Sequence, residues 1–506
     1  MTVMRIVGLT RVLSVVLIGG LALAQVANRP DPVVLFVNDL PVFASEYYRA
    51  QIENPAAALP SKGFFKTDRD NLALASVVKT QAIQSDASNI EVSSSEVDHE
   101  INDLIKQNNW DFNQFKQNIE AAGYSIESYR RSLRQELRFE RRILQIKNQV
   151  SLSFEELNLF YNLFKNRYAS NGKPPPLTQI KNQVENDAKT IKTKAALENW
   201  SRKLMMDAKL RLPENSSLEI YNPSVAKMGN LEINLWKLNQ TVYNDPRFIT
   251  MQNTSPNLAV ELQKLKTSIL EQLINQCIAL EFAKKTDKPF IGQGQDLLQA
   301  VTIYKLQNLT VTNAEMTRYY QTNISSFQTP GVASFKTFTF FKSASANAFR
   351  NELIRSGRPV ETIASKYTQN RNNKLIQSTT NQLIPAIRKV IFEQKLTKVK
   401  NGLITQVITT NGKTLVFFVQ NIQYPKTPTY NQVKTQAMQK TLAYKRQTTT
   451  KTWLQNARKS LKLENQLTAI QKDSETRGNR SANLTASQMP NTRTPKPEPK
   501  TPTLQP

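Results

Sequence analysis

Two parts of the chain carry the same helical pattern, and this repetition constrains the fold more than any other feature. Ser153 and Glu156 form a capping box, the residue pair that often opens a helix. Thr312 and Glu315 form the same box 159 residues later. Apolar residues follow each box at helical spacing, so we predict two related helical modules.

A second pair of landmarks shows that the two modules differ in length. Ile180 lies 20 residues before Trp200, and Val433 lies 20 residues before Trp453, but these two pairs are 253 residues apart. The second module therefore contains 94 more residues than the first, which is enough for one small domain. We expect this insert within residues 320–428.

The pattern inside the insert is mixed rather than helical. Residues 332–341 alternate as a strand, and two later strands are joined through Asn411-Gly412, a strong hairpin signal. Helices are predicted at 344–355, 363–366 and 384–392. The predicted fold class is therefore mainly α, with an α+β insert of order β-α-α-α-β-β in the second of two helical modules.

Residues that commonly carry catalysis are scarce. The chain has one cysteine, Cys277, and one histidine, His99, so an internal disulfide and a structural zinc site are both excluded. A Ser-His-Asp or Cys-His pair would have to use His99. We predict that His99 is a surface residue and Cys277 a buried apolar thiol. We therefore expect no catalytic, cofactor-binding or metal residue and no cofactor, and the client-binding residues remain unknown.

The acidic pairs, the clustered arginines and the phenylalanines of the insert are predicted to have mainly structural roles. The pairs Glu155-Glu156 and Glu136-Glu140 are predicted to be cap and solvent-face charges. An arginine-rich helix is predicted to be a solvated face, salt-bridged to Glu136 and Glu140; its arginines are Arg130, Arg131, Arg134, Arg138, Arg141 and Arg142. One face of the first strand of the insert is expected to fill the core of the small domain, and client binding by the other face is an alternative that stays open; the phenylalanines are Phe335, Phe338, Phe340 and Phe341.

The net charge of +27 would attract polyanions, acidic proteins or an anionic membrane surface. The basic residues look evenly distributed, and no nucleic-acid-binding module accompanies them, so nucleic acid is not an expected partner. A weak association with an anionic membrane surface remains open.

The first 24 residues have the pattern of a signal peptide. Arg5 and Arg11 precede an apolar stretch, and Ala22 and Ala24 provide a cleavage site after residue 24. The apolar stretch is too short for a spanning helix. We expect an exported protein of the periplasm or cell envelope that is soluble after cleavage.

The domain boundaries follow from these patterns. Each module is predicted to open with a hairpin, at 33–43 and at 225–233. The boundaries are a signal peptide at 1–24, a first module at 25–222, a second module at 223–330 and 425–468, an insert at 331–424, and a disordered tail at 469–506, rich in proline and polar residues.

Several segments resemble the SurA and PrsA group of extracytoplasmic chaperones, in which a helical module carries a parvulin-type prolyl isomerase domain. In the modules these are "VVLFVNDLPVFASEYY", "LSFEELNLFY" and "VTNAEMTRYY". In the insert they are "ASANAFRNELIRSGRPVETIASKYTQN" and "LTKVKNGLITQVITTNGKTLVFFVQNI". The resemblance covers residues 33–468. It implies two SurA-like helical modules, the second with a parvulin-like domain.

The insert departs from this family at the isomerase site. The family carries one histidine in the first strand and another in the last, whereas "VASFKTFTFF" and "LVFFVQNI" contain none. The resemblance therefore implies an ATP-independent chaperone that binds unfolded or partly folded exported proteins without isomerase activity. Two alternatives stay open: an active prolyl isomerase, and an envelope scaffold that binds one fixed partner.

Overall fold

The computed structural model describes residues 31–121, 125–170, 172–214, 216, 218–367 and 373–488. The chain divides into two compact units. Unit 1 comprises Met1–Gln307 and Lys451–Pro506, and unit 2 comprises Asn308–Thr450. The predicted signal peptide at 1–24 lies outside the described residues.

Unit 1 opens with a hairpin of β1 (Val33–Val37) and β2 (Leu40–Phe43). Asn38 and Asp39 adopt φ values of 50° and 65°, and two positive φ values are what a type I′ turn requires. The helices that follow are α1 (Ala44–Glu53), α2 (Gly63–Ala87), α3 (Ser94–Gln107), α4 (Phe112–Ala121), α5 (Ile126–Gln149), α6 (Phe154–Phe164) and α7 (Leu177–Asp207). Strand β3 (Leu210–Arg211) then pairs antiparallel with β1.

The pattern restarts with the antiparallel pair β4 (Ser224–Met228) and β5 (Leu231–Asn234). Helices α8 (Leu235–Tyr243), α9 (Pro246–Thr254), α10 (Leu258–Lys284) and α11 (Gly294–Leu306) follow. Asn234 caps α8, because its side chain accepts a hydrogen bond of 2.9 Å from the Lys237 amide.

Unit 2 starts with α12 (Asn313–Thr322) and continues into a sheet covered by helices. Its elements are β6 (Val332–Phe340), α13 (Ser343–Ser356), α14 (Val360–Tyr367), β7 (Ile376–Thr379), α15 (Pro385–Arg388) with a π-helical turn at Lys389–Glu393, β8 (Thr397–Val399), β9 (Gly402–Ile404), β10 (Ile408–Thr410) and β11 (Lys413–Gln423). The strand order is β7-β6-β11-β9-β8, all antiparallel, with β10 paired to β11.

The predicted fold class, mainly α with an α+β insert, is confirmed. The Asn411-Gly412 hairpin forms, and both residues have positive φ. The short strands β7 and β8 were not predicted, because three or four residues are too few to show an alternating pattern.

The chain returns to unit 1 through α16 (Lys434–Ser460), β12 (Glu464–Asn465) and α17 (Leu467–Gln488). The prediction of a disordered tail from residue 469 is wrong as far as residue 488, because α17 is helical there. Leu467 and Ile470 are buried in the core, and the Glu475 carboxylate accepts a hydrogen bond of 2.9 Å from the Phe64 amide at the start of α2. Residues 489–506 lie outside the described residues.

The core of unit 1 joins residues from both predicted helical modules. Leu59, Phe64 and Leu72 from the first module pack in one cluster with residues of β4, α8, α9 and α10, such as Leu238 and Phe248. The predicted boundary at residue 222 therefore runs through a shared core rather than through a linker.

The internal repeat is visible in individual contacts. The Tyr161 hydroxyl donates a hydrogen bond of 2.6 Å to the Pro175 carbonyl, and the Tyr320 hydroxyl donates one of 2.6 Å to the Pro428 carbonyl. Lys192 pairs with Glu156 of the first capping box at 2.5 Å, and Lys445 pairs with Glu315 of the second at 2.6 Å.

Two isolated antiparallel β-bridges locate the insert. In the first copy of the repeat a bridge joins Ser170 to Lys173, and in the second copy the equivalent bridge joins Thr329 to Lys426. The 94-residue surplus therefore lies between these last two residues.

No helix within the described part of the chain is both long enough and apolar enough to cross a membrane.

Candidate functional site

The residues most able to carry chemistry lie apart from one another. His99 is on α3 with its side chain 73% exposed, and its Nε2 is 3.5 Å from the Asp103 carboxylate one helical turn away. Cys277 is partly buried on α10, and burial raises the pKa of its thiol. Among the described residues, no group of three His, Cys, Asp or Glu side chains could hold a metal ion.

The acidic pairs take structural positions. Glu156 accepts a hydrogen bond of 2.8 Å from the Ser153 amide and so completes its capping box. Glu136 lies on α5, where burial raises the pKa of its carboxyl, with further contributions from the nearby charges of Glu140 and Glu100.

Three of the six arginines of α5 form salt bridges, but not with the partners that the sequence suggested. Arg130 pairs with Asp98 at 2.5 Å, and Arg142 pairs with Asp86 at 2.7 Å. Arg141 pairs with Glu96. The prediction that Glu136 and Glu140 would be the partners is wrong, because these arginines point across to α3 and the end of α2. These three ion pairs link α5 to α3 and to the end of α2.

Both faces of the sheet in unit 2 are closed by the protein's own side chains. On one face Phe338, Phe340 and Phe418 pack against Phe349 of α13 and Ile363 of α14. The alternative that one face of this strand binds clients finds no open surface at Phe335, Phe338 and Phe340, because each of them is buried.

The opposite face lies under the segment around α15. Phe335 and Phe417 meet edge to face, with ring centroids 5.5 Å apart, and Val390 and Phe392 pack over them. Gly331 lies in the same layer, where a Cβ would come within 2.7 Å of the Phe392 ring. This face is packed like a protein interior and leaves little room for a substrate.

The polar groups near the sheet are used internally. Thr405 is fully buried, and its hydroxyl accepts a hydrogen bond of 3.0 Å from the Phe417 amide. The Arg350 guanidinium donates to the Thr405 carbonyl at 2.9 Å and to the Thr397 hydroxyl at 2.9 Å. Unit 2 contains no histidine, so its sheet offers no general acid or base that titrates near neutral pH.

Unit 1 has an exposed apolar surface that the sequence analysis did not single out. Helix α1 contains no buried residue, and Tyr48 and Ile52, one helical turn apart, are 59% and 58% exposed. Phe43 at the start of the helix is 37% exposed. We call these three residues the α1 face. Aromatic and aliphatic residues at i and i+4 were visible in the sequence, but only the structure shows that nothing in the described chain covers them.

Comparisons with known proteins identify the sheet-containing domain. Residues 311–435 match the family described as the PPIC-type PPIASE domain. Unit 2 therefore contains a parvulin-type domain, and its recognition from the sequence is confirmed. No curated protein matches the chain.

Two solved chains are also similar to this protein. They come from the human pathogen Campylobacter jejuni, in which the virulence factor PEB4 and the periplasmic protein Cj1289 are described as structurally related SurA-like chaperones. One is 14% identical, with a TM-score of 0.24, and the match covers 58% of this chain and 96% of the other. The second is 12% identical, with a TM-score of 0.16, and the match covers 86% and 99%.

Proposed function

We propose that this protein is an ATP-independent chaperone that binds apolar segments of unfolded exported proteins, and that its parvulin-type domain has no isomerase activity. One observation carries the proposal: residues 311–435 match an isomerase family, yet unit 2 contains no histidine. The packed sheet faces around Phe335 and Phe417 support it further, because a prolyl peptide would have to displace core side chains to enter. Binding without catalysis is then the remaining role of a parvulin-type chaperone.

The physical basis of binding is exposed apolar surface. Complete burial of one Tyr48- or Ile52-sized side chain contributes about 1.5–3 kcal/mol. A single contact of this kind is weak and quickly reversed, but several contacts along one unfolded chain act together. Such a surface holds exposed segments apart and so slows their aggregation without a nucleotide.

Export is the second element of the proposal. The pattern of Arg5, Arg11 and the apolar stretch up to residue 24 supports cleavage in the envelope, where unfolded exported proteins are present and ATP is not. The scarcity of glycine, 14 residues in the whole chain, argues against a Gly-rich phosphate loop.

The test is suppression of aggregation of a chemically denatured client, followed by light scattering without ATP. The full-length protein should suppress scattering at near-stoichiometric amounts. The double variant Tyr48→Ser/Ile52→Ser should lose about half of this protection or more, because it removes most of the α1 face. Arg49→Ser/Glu53→Ser is the matched control, because both residues are exposed on the same helix, and its protection should be unchanged.

Two outcomes would contradict the proposal. Wild-type protein that leaves the scattering of several clients unchanged is not a holdase. If the control variant loses as much protection as the apolar variant, then the α1 face is not the binding surface and helix α1 acts through its fold alone.

A further inference from the structure

The positive charge of the chain is concentrated in unit 2. Residues 308–450 contain 20 Lys and Arg, four Glu and no Asp, so this unit carries +16 of the net +27 in 143 of the 506 residues. The even distribution suggested by the sequence therefore does not hold once the chain is divided into its two units. A field of this size attracts anionic surfaces over about a Debye length.

The four carboxylates of unit 2 each lie in an ion pair within the unit. Glu315 pairs with Lys445 at 2.6 Å and Glu361 with Lys336 at 2.7 Å. Glu352 pairs with Lys366 and Glu393 with Arg388. The other Lys and Arg residues of unit 2 are therefore in large excess, and no carboxylate of this unit remains to neutralise them.

One end of the sheet combines this charge with an exposed aromatic residue. Phe340, the last residue of β6, pairs with Thr414 of β11. Phe341, which follows β6, and Lys413, the first residue of β11, therefore lie at the same end of the sheet. Phe341 is 89% exposed, the highest value among the large apolar side chains that the structure describes. Lys342 follows it directly, and both lysines are exposed. We call Phe341, Lys342 and Lys413 the sheet-end patch.

We infer that the sheet-end patch docks unit 2 onto an anionic lipid surface. Lys342 and Lys413 contact headgroup phosphates, and Phe341 enters the interface between headgroups and acyl chains, where an isolated aromatic ring is stable. The excess charge of unit 2 supplies the long-range attraction, and the patch sets the orientation. An exposed aromatic ring among lysines also fits single-stranded nucleic acid, but the predicted export of the chain favours lipid. This inference does not depend on the proposed chaperone function.

The experiment is co-sedimentation of the full-length protein with vesicles. Phosphatidylcholine vesicles should bind little protein, and vesicles that also contain phosphatidylglycerol should bind it strongly at low salt. Binding should fall steeply with added salt, because the attraction is between exposed charges. Binding should not change between pH 6 and pH 8, because unit 2 contains no histidine.

Variants test the patch itself. Lys342→Glu/Lys413→Glu should weaken binding by about tenfold or more, since each lysine contributes to attraction at an anionic surface. Phe341→Ser should also weaken it and should make the remaining binding more sensitive to salt. The matched control is Lys398→Glu/Lys400→Glu, which makes the same charge change at β8 and its turn, where Lys398 is in register, across β9, with Val419 of β11 rather than with Thr414 at the patch. This control should retain most of the binding.

Three results would overturn the inference. Equal binding to both kinds of vesicle would show that anionic lipid is not recognised. Equal losses for the patch variant and the control would show diffuse attraction with no docking site. Displacement of the bound protein by single-stranded DNA at low concentration, with the same dependence on Phe341, would transfer the site to nucleic acid.

Discussion

Lys266 on α10 and Asp68 on α2 form an ion pair inside the core of unit 1, with side chains that are 2% and 0% exposed. The carboxylate also accepts hydrogen bonds from the Tyr243 hydroxyl at 2.6 Å and from the Asn239 amide at 3.0 Å. Burial, together with the Asp68 charge, raises the pKa of Tyr243 well above its ordinary value, so this hydroxyl remains a donor. The cluster joins helices of the two predicted modules.

Breaking this pair should destabilise unit 1 strongly. Asp68→Asn leaves the Lys266 ammonium buried without a counter-charge, and the expected loss of unfolding free energy is about 3–5 kcal/mol. The double variant Asp68→Asn/Lys266→Met removes both charges, so it should lose less than the single variant. Urea unfolding followed by tryptophan fluorescence measures unit 1 specifically, because all four tryptophans lie in it.

An exposed pair on the same helix is the control. Glu261 and Lys264 are 2.8 Å apart with side chains 43% and 68% exposed, and Glu261→Gln should cost less than about 1 kcal/mol. A small effect of Asp68→Asn, similar to that of Glu261→Gln, would show that water reaches the buried pair.

The insert should be removable, because the first copy of the repeat shows how the junction closes. We expect that deletion of residues 331–424 with a short linker leaves a folded, helical protein that still protects clients. The best deletion variant reproduces the first copy of the repeat. It joins Thr329 to Lys426 through Asn-Gly, the two residues that lie between Ser170 and Lys173. The Tyr320 hydrogen bond to Pro428 can then form as it does at Tyr161.

Circular dichroism and the tryptophan unfolding curve check the fold of this deletion variant, and light scattering checks its activity. An unfolded product would show that the helical pair around Tyr320 depends on the insert. A folded product without protection would move client binding to the insert, and Phe341 would become the first residue to replace.

We expect no measurable prolyl isomerase activity. The barrier to rotation of a peptide bond is about 18–20 kcal/mol, and a parvulin-type site lowers it with a shaped pocket and histidine-centred hydrogen bonds. Unit 2 has no histidine, and Phe335 and Phe417 fill the sheet face. In a protease-coupled assay on a prolyl peptide, the rate should equal the uncatalysed rate. Acceleration comparable with that of an ordinary parvulin, measured alongside, would refute this expectation.

The stability of unit 2 should be insensitive to pH near neutrality and should fall in acid. Hydrogen bonds from Lys445, Lys366 and Lys336 hold the pKa values of Glu315, Glu352 and Glu361 below the usual 4.5. The unfolded chain therefore binds more protons than the folded one below about pH 5, so the stabilisation is present above that pH and is lost as pH falls through the folded-state pKa values.

Amide hydrogen exchange of β6 and β11 peptides, corrected for the intrinsic pH dependence, measures this effect. Protection should be constant from pH 8 to pH 6 and decline below about pH 4.5. In the Glu315→Gln variant, protection should decline less steeply with falling pH, because the variant has one carboxylate fewer that takes up a proton on unfolding. A midpoint near pH 6.5 would instead require a histidine, which unit 2 does not have.

Local features of the fold followed from the sequence alone. The capping boxes at Ser153 and Thr312 form as predicted, because a cap involves residues only three positions apart. A repeated module keeps its internal distances. Trp200 and Trp453 are 253 residues apart whereas the two capping boxes are 159 apart, and this difference located the insert. The absence of histidine from 308–450 needed no structure, and it carries the central argument about isomerase chemistry.

The tertiary structure decided what depends on contacts between distant residues. The partners of Arg141 and Arg142 lie 45 and 56 positions away, and the Asp68–Lys266 pair joins residues 198 apart. The polar helix α17 forms against α2, more than 400 residues earlier in the chain. Periodicity shows that a residue belongs to an apolar face, but whether that face is covered, as at Phe335, or exposed, as at Phe341, depends on which other elements pack there.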